Sequence, residues 1–204
     1  MPYTAKKFTL TGLEGISDKQ LDSHYKLYEG YVTNCNKVND QLLALAKEGK
    51  GGTPEYNEQK RRFGWEFDGM RLHEFYFSNL KANGGELSAT SPLYAKLVET
   101  WGSYDVWKAD FVNTGLVRGI GWAALYMDNL TGHLFNVWVA EHEGNHPAGA
   151  TLLLIMDVWE HAYVGDYLPT ERKKYEEAFM KNINWAIVEK RFSQVKVGDV
   201  AVFE

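Results

Sequence analysis

The chain has 204 residues, a formal net charge of −5 and 45% hydrophobic residues, with aromatics at 14%. That is enough chain for one large domain or two small ones with a real core. The acidic balance argues against a general nucleic-acid binder, and no apolar run reaches the roughly 18 residues of a membrane span.

The single cysteine, Cys35, excludes an internal disulfide framework, suits a reducing compartment and reads as a helix-packing residue. The opening Met1 to Lys7 lacks the apolar core of a secretion signal and the Arg and Ser of a transit peptide, so a cytoplasmic protein is expected. Residues 1–16 read as irregular. Ser17 followed by Gln20 is a capping-box pattern that predicts a helix reaching about Ala46. His24, Tyr28 and Tyr31 fall on one of its faces. After the Lys50-Gly51-Gly52 turn, Thr53-Pro54 supplies a cap and a first-turn proline for a second long helix. Its apolar stripe runs through Phe63, Phe67, Met70, His73, Tyr76, Phe77 and Leu80. The two make an antiparallel hairpin with one inward histidine each.

Asn83-Gly84-Gly85 marks the best boundary, dividing the chain into a helical unit, 1–85, and a mixed unit, 86–204. Ser91-Pro92 and Ser103 start helices over about 92–101 and 104–117. Trp122 to Met127 and Leu134 to Ala140 read as strands joined by Asn129-Leu130-Thr131-Gly132, and Leu152 to Asp157 as a third. Thr170 is expected to cap a C-terminal helix reaching about Phe192, and the alternating tail from Val195 to Glu204 reads as a short strand or a disordered end. The expected fold class is therefore α+β: an N-terminal α-helical hairpin followed by an α/β domain with a small three-stranded antiparallel sheet.

The buried run into Asp157 delivers a carboxylate inside the protein, which is expensive unless it is paired or binds a metal. His161 lies four residues on. Adding the inward-facing His24 and His73 gives a four-ligand N/O set without thiolate, suited to iron, manganese or zinc. His133 and His142, near turns or strand ends, read as solvent-facing. With neutral imidazoles and one carboxylate, a trivalent ion with hydroxide and a divalent ion with water both leave a net charge of +1. One-electron reduction coupled to one proton then leaves the local charge unchanged, which favours a redox metal, since metals acidify bound water and zinc cannot cycle.

These residues resemble the iron/manganese superoxide dismutase family. The resemblance rests on Asp157-Val158-Trp159-Glu160-His161-Ala162-Tyr163, on His24-Tyr25, on His73-Glu74-Phe75-Tyr76-Phe77, on Gly119-Ile120-Gly121-Trp122 and on Asn184-Trp185. It implies one Fe or Mn ion per subunit, held by His24, His73, Asp157 and His161 with solvent as fifth ligand, and disproportionation of superoxide to oxygen and hydrogen peroxide. Tyr31 looks like the gateway tyrosine of the substrate channel, with Lys26 as a candidate member of a cationic funnel. Trp122 and Trp159 look like the apolar wall. The resemblance also implies a homodimer or homotetramer in which Glu160 bridges to the partner subunit's His161. Where iron enzymes often place a solvent-contacting Gln, four residues before the second-helix ligand, this chain has Gly69; His146 is the matching candidate from the C-terminal half. Two departures stand out: Leu27-Tyr28 replaces a pair of histidines, with one residue fewer before the gateway tyrosine, and Val164 replaces a second tyrosine. A catalytically altered relative with a structural or regulatory metal, or a mononuclear iron oxygenase, is the alternative reading.

Overall fold

The computed structural model describes residues 2–198. α1 spans Asp18–Lys47, and the Ser17 hydroxyl accepts the Gln20 backbone N–H at 3.1 Å. The Gln20 side chain does not reach back as a capping box requires. It turns inward, donating to the His161 carbonyl at 2.6 Å and accepting the Gly165 N–H at 2.8 Å. α2 spans Pro54–Ser78, capped by Thr53 with Pro54 in its first turn. Its antiparallel course against α1 shows in the pairings, His24 against His73 and Tyr31 against Gly69. α3, Pro92–Trp101, and α4, Tyr104–Gly115, are capped by Ser91 and Ser103.

Three antiparallel strands follow: β1 (Gly121–Asp128), β2 (Leu134–Ala140) and β3 (Ala150–Asp157), in the order β2-β1-β3. The central strand is buried along nearly its whole length, as is the second half of β3, because helices cover the sheet. In the register, Trp122 lies opposite both Val139 and Asp157, which sets an indole beside the buried acid. One apolar core runs from α1 and α2 through the sheet to the last helices.

The single C-terminal helix expected from Thr170 is broken. Thr170 sits in a 3-10 turn, Pro169–Glu171; α5 covers Arg172–Lys181 and α6 covers Trp185–Gln194. Between them the backbone leaves the helix to pair with the segment after α2: Lys81 donates to the Asn182 carbonyl at 2.8 Å and Asn184 to the Asn79 carbonyl at 2.6 Å. A Cβ at Gly84 would lie 2.4 Å from the Ile183 carbonyl oxygen, so this close approach requires glycine there. The tertiary pairing outweighs helix continuation at these three residues. Most of the tail from Val195 falls outside the described residues. Among the described residues no helix is long and apolar enough to cross a membrane. Cys35 is fully buried in α1, and burial raises its thiol pKa, as suits a packing residue.

Candidate metal centre

His24 and His73 are delivered by the facing sides of the hairpin, Asp157 by the last residue of β3, and His161 by the 3-10 turn Glu160–Ala162 just beyond it. All four are placed within reach of one point: one ligand atom from each lies within 4.8 Å of every other. The Asp157 Oδ2 atom is the focus, with the Nε2 atoms of His24, His161 and His73 at 3.0, 3.2 and 3.6 Å. Ligands about 2.1 Å from a common ion stand about 3.0 Å apart at right angles and about 3.6 Å apart at 120°. The observed separations span that range, so the donor atoms fit a single ion. The fit extends to an orphan: among the described residues His73 Nε2 is buried without a hydrogen-bond partner, while its Nδ1–H donates to the Gly69 carbonyl and leaves the Nε2 lone pair facing the cluster.

Asp157 and His73 are wholly buried and His24 nearly so. Burial opposes the Asp157 charge, but the His161 and His24 imidazoles beside it hold the carboxyl well below its usual range. Burial also lowers the pKa values of His24 and His73, keeping both imidazoles neutral and free to ligate. The acid is braced from behind. Its Oδ1 accepts the Trp159 N–H at 2.8 Å, and the Tyr175 hydroxyl donates to its backbone carbonyl at 2.7 Å.

Tyr31 meets this centre from α1, its ring stacked on His73 with centroids 5.1 Å apart. Seven residues of regular α-helix return almost to the same face, about 20° short of two full turns, so His24 and Tyr31 converge without a helical irregularity. The ring lies directly over Gly69, where an added Cβ would sit 2.5 Å from Tyr31 Cδ1. No side chain at position 69 can therefore share this space with Tyr31, so the solvent-contacting group expected from the sequence would not come from there.

That group is not placed as the sequence suggested. His146 lies away from the cluster, its Nδ1 2.9 Å from the Tyr126 hydroxyl and its Nε2 2.7 Å from the His142 carbonyl. His142, read from its position near a strand end as solvent-facing, is instead fully buried and bonds the Tyr31 hydroxyl at 2.7 Å. A left-handed Glu141, φ 51°, turns the chain after β2 so that His142 points inward. An indole N–H only donates, so the 3.2 Å contact from Trp122 Nε1 makes His142 Nδ1 an acceptor and puts the ring proton on Nε2, from which it donates to Tyr31. Burial pushes His142 down to about 4, so this neutral tautomer persists at neutral pH. Burial, with the charges of Asp157 and Glu66, pushes Tyr31 well above its ordinary value and keeps it protonated. Tyr31 thus accepts from His142 and has its own proton free to face the cluster.

Three indoles close the site. Trp122 stands edge-on to His73, and Trp159 stacks on His142 and His161. Trp65, which sequence reasoning passed over, stacks on Trp159 with centroids 6.1 Å apart and lies 5.0 Å from His142. Its signal was available, since Trp65, Gly69 and His73 are spaced by four along α2 and share a side.

Residues 89–191 match the family described as iron/manganese superoxide dismutases, C-terminal domain. The chain is 34% identical over 187 residues to a superoxide dismutase [Fe] of Aquifex aeolicus (strain VF5), covering 89% of this chain and 86% of the relative. The chain belongs to the iron/manganese superoxide dismutase family. Both metals occur among the names of this superoxide dismutase family's members that it resembles. A superoxide dismutase [Mn] of Haloferax volcanii is 30% identical over 180 residues, covering 88% of each chain. A superoxide dismutase [Fe] of Mycobacterium tuberculosis is 34% identical over 172 residues, covering 83% of this chain and 81% of the relative.

Proposed function

We propose that the protein is a superoxide dismutase that converts two superoxide anions and two protons into one dioxygen and one hydrogen peroxide. The reading is carried by the convergence of three imidazole Nε2 atoms on one buried carboxylate oxygen, in a chain of this family. His24, His73, Asp157 and His161 would hold one iron or manganese ion per subunit, drawn in pairs from the 1–85 and 86–204 units. When bound, the ion supplies a one-electron relay between its trivalent and divalent states. The overall reaction balances without further reactants: oxidation of one superoxide to dioxygen releases the electron that, with two protons, reduces the other to hydrogen peroxide.

The surrounding side chains set how those protons arrive. Tyr31, held by the His142 N–H, presents a phenolic proton toward the cluster, and the bond it accepts makes that proton a better donor. His142 takes the part first assigned to His146. Trp65, Trp122 and Trp159 exclude bulk water from the reacting volume. Elemental analysis of the purified protein, with superoxide turnover measured after loading each metal, tests the assignment; a loaded sample no faster than the free ion at equal concentration would overturn it. Tyr31→Phe is expected to retain metal but lower kcat at least about tenfold, within the range of a lost acid–base group, measured by pulse radiolysis or stopped flow.

An anionic substrate approaching an acidic chain needs a local cation. Lys26 is exposed on α1. The nearer candidate is Arg62, whose guanidinium stacks 4.1 Å above the Trp65 ring and whose charge acts on both Tyr31 and His142. Arg62→Ala is expected to lower kcat/KM about threefold at low ionic strength and to flatten its salt dependence, because screening then has less attraction to remove. A stopped-flow salt series checks this.

Glu160 is exposed, and among the described residues His161 Nδ1 has no hydrogen-bond partner in its own chain. Both observations support a symmetric dimer, alone or within a tetramer, in which Glu160 reaches the partner subunit's His161. Action in the cytoplasm fits the single, buried Cys35.

A further inference from the structure

The loop after β2 carries a second histidine whose two ring nitrogens are both engaged. His146 Nε2 lies 2.7 Å from the His142 carbonyl oxygen, which can only accept, so Nε2 carries the proton and donates. Nδ1 is then an acceptor, and the largely buried Tyr126 hydroxyl donates to it at 2.9 Å. Among the described residues the His142 carbonyl has no other partner, since β2 and its ladder end at Ala140. The loop around it is tightly closed. Ala140 and Gly144 exchange both backbone hydrogen bonds, and Glu141 and Asn145 both hold left-handed backbone, φ 51° and 66°. In so short a turn, fixing the carbonyl of residue 142 fixes the peptide plane from which the His142 ring departs.

We propose that His146 is a positioning residue for the dismutase reaction: by holding the His142 carbonyl through its Nε2–H, with its Nδ1 held in turn by the Tyr126 hydroxyl, it aims the His142 Nε2–H at the Tyr31 hydroxyl. It touches neither substrate nor metal ligands and acts through His142. The chain Tyr126 O–H to His146, His146 N–H to the loop, and His142 N–H to Tyr31 runs in one direction from the β1 strand to the site. Asp68 Oδ2 stands 3.8 Å from His146 Nε2, too far for a direct hydrogen bond. This inference rests on the functional reading above for its kinetic consequence but not for its geometry.

The test uses the full chain with His146→Ala, His146→Gln and Tyr126→Phe, read by crystal structures and by the kinetics of the manganese- and iron-loaded proteins. In His146→Ala the His142 Nε2 to Tyr31 hydroxyl separation is expected to open beyond hydrogen-bond distance, with kcat lowered about tenfold, the low end for losing a supporting group around a metal site, and metal content unchanged. His146→Gln, whose amide can donate to the same carbonyl and accept from Tyr126, is expected to restore both the short contact and most of kcat. Tyr126→Phe should fall between the two. A merely structural role would lower thermal stability in all three while leaving the His142 to Tyr31 distance and kcat as in the parent, and that result overturns the proposal. If His146→Ala does not fold, the glutamine and phenylalanine variants decide it: loss of kcat in His146→Gln with the short contact preserved also counts against it. An unaltered chain without dismutase activity would sink the functional reading instead, and the His142 to Tyr31 distance in the variants still judges the positioning role.

Discussion

Asp157→Asn is expected to leave a folded protein that no longer retains its metal. Purified variant should show iron and manganese at background by elemental analysis, and kcat/KM for superoxide lower by at least about 10³-fold, equivalent to about 4 kcal/mol. The substitution keeps the shape and the acceptor for the Trp159 N–H, so the turn into His161 survives. It removes the only carboxylate among the four clustered groups, and with it the single negative charge that three neutral imidazoles cannot supply. The same substitution discharges the group that holds His24 and His161 in place, each within 3.2 Å of Oδ2. A variant that kept full metal content would show that the three histidines suffice and that Asp157 serves only to orient them.

The second large effect lies away from the four-residue cluster. Glu176, on α5, is fully buried, and among the described residues neither carboxylate oxygen has a hydrogen-bond partner. Its nearest cation is Arg172, with Nε 3.5 Å from Oε1, but that guanidinium donates to the carbonyls of Val117 and Gly119. Burial therefore pushes the Glu176 carboxyl from 4.5 up to about 8, the Arg172 charge offsetting only part of it. The sign follows from proton linkage. Between the two values the folded chain holds a proton that the unfolded chain has released, so stability falls as pH rises from about 4.5 and levels off above about 8. The full displacement corresponds to at most about 5 kcal/mol, and about half is expected once the site relaxes around the charge. Glu176→Gln should match the parent near pH 4.5 and exceed it by about 2 kcal/mol at pH 8.5, a rise in Tm of about 4–8 °C for a chain of this size. Calorimetry of the metal-free protein across pH measures it, and parallel curves for the two proteins would refute the assignment.

Departures from the family pattern make physical sense in this chain. The shorter step from His24 to Tyr31 goes with an uninterrupted α1, and the tyrosine ring occupies the space above Gly69. One more residue in a regular helix would swing the tyrosine about 100° off the face that carries His24. Tyr28, standing where the family carries histidine, is buried, accepting the Lys6 N–H at 2.8 Å and donating to Glu74 at 3.1 Å. It ties the N-terminal segment to the hairpin. Leu27 and Val164 are both exposed, so the polar pair missing from the sequence is replaced by two apolar side chains on the surface.

Much of this protein was legible in its residues because the signals are local. Helix caps at Ser17, Thr53, Ser91 and Ser103 are chemistry between neighbours, and the apolar run into Asp157 marks a covered strand wherever it occurs. The three strands and the antiparallel sheet follow from period and turn composition. The four clustered groups could be named from residue type, helical face and the signature stretch. What sequence could not settle depends on contacts between segments far apart in the chain. Whether His142 or His146 meets Tyr31 turns on a left-handed residue at Glu141 and an indole 20 positions earlier, neither of which leaves a periodic trace. The break between α5 and α6 answers to backbone pairing with residues about 100 positions away, against a local propensity that favours continuing the helix. Gln20, suited by type to a capping box, is drawn inward by the carbonyl of His161. In each case a side chain or peptide with two plausible local partners took the one that only the packed tertiary structure supplies, because a buried polar group left unbonded costs more than a cap or a turn of helix contributes.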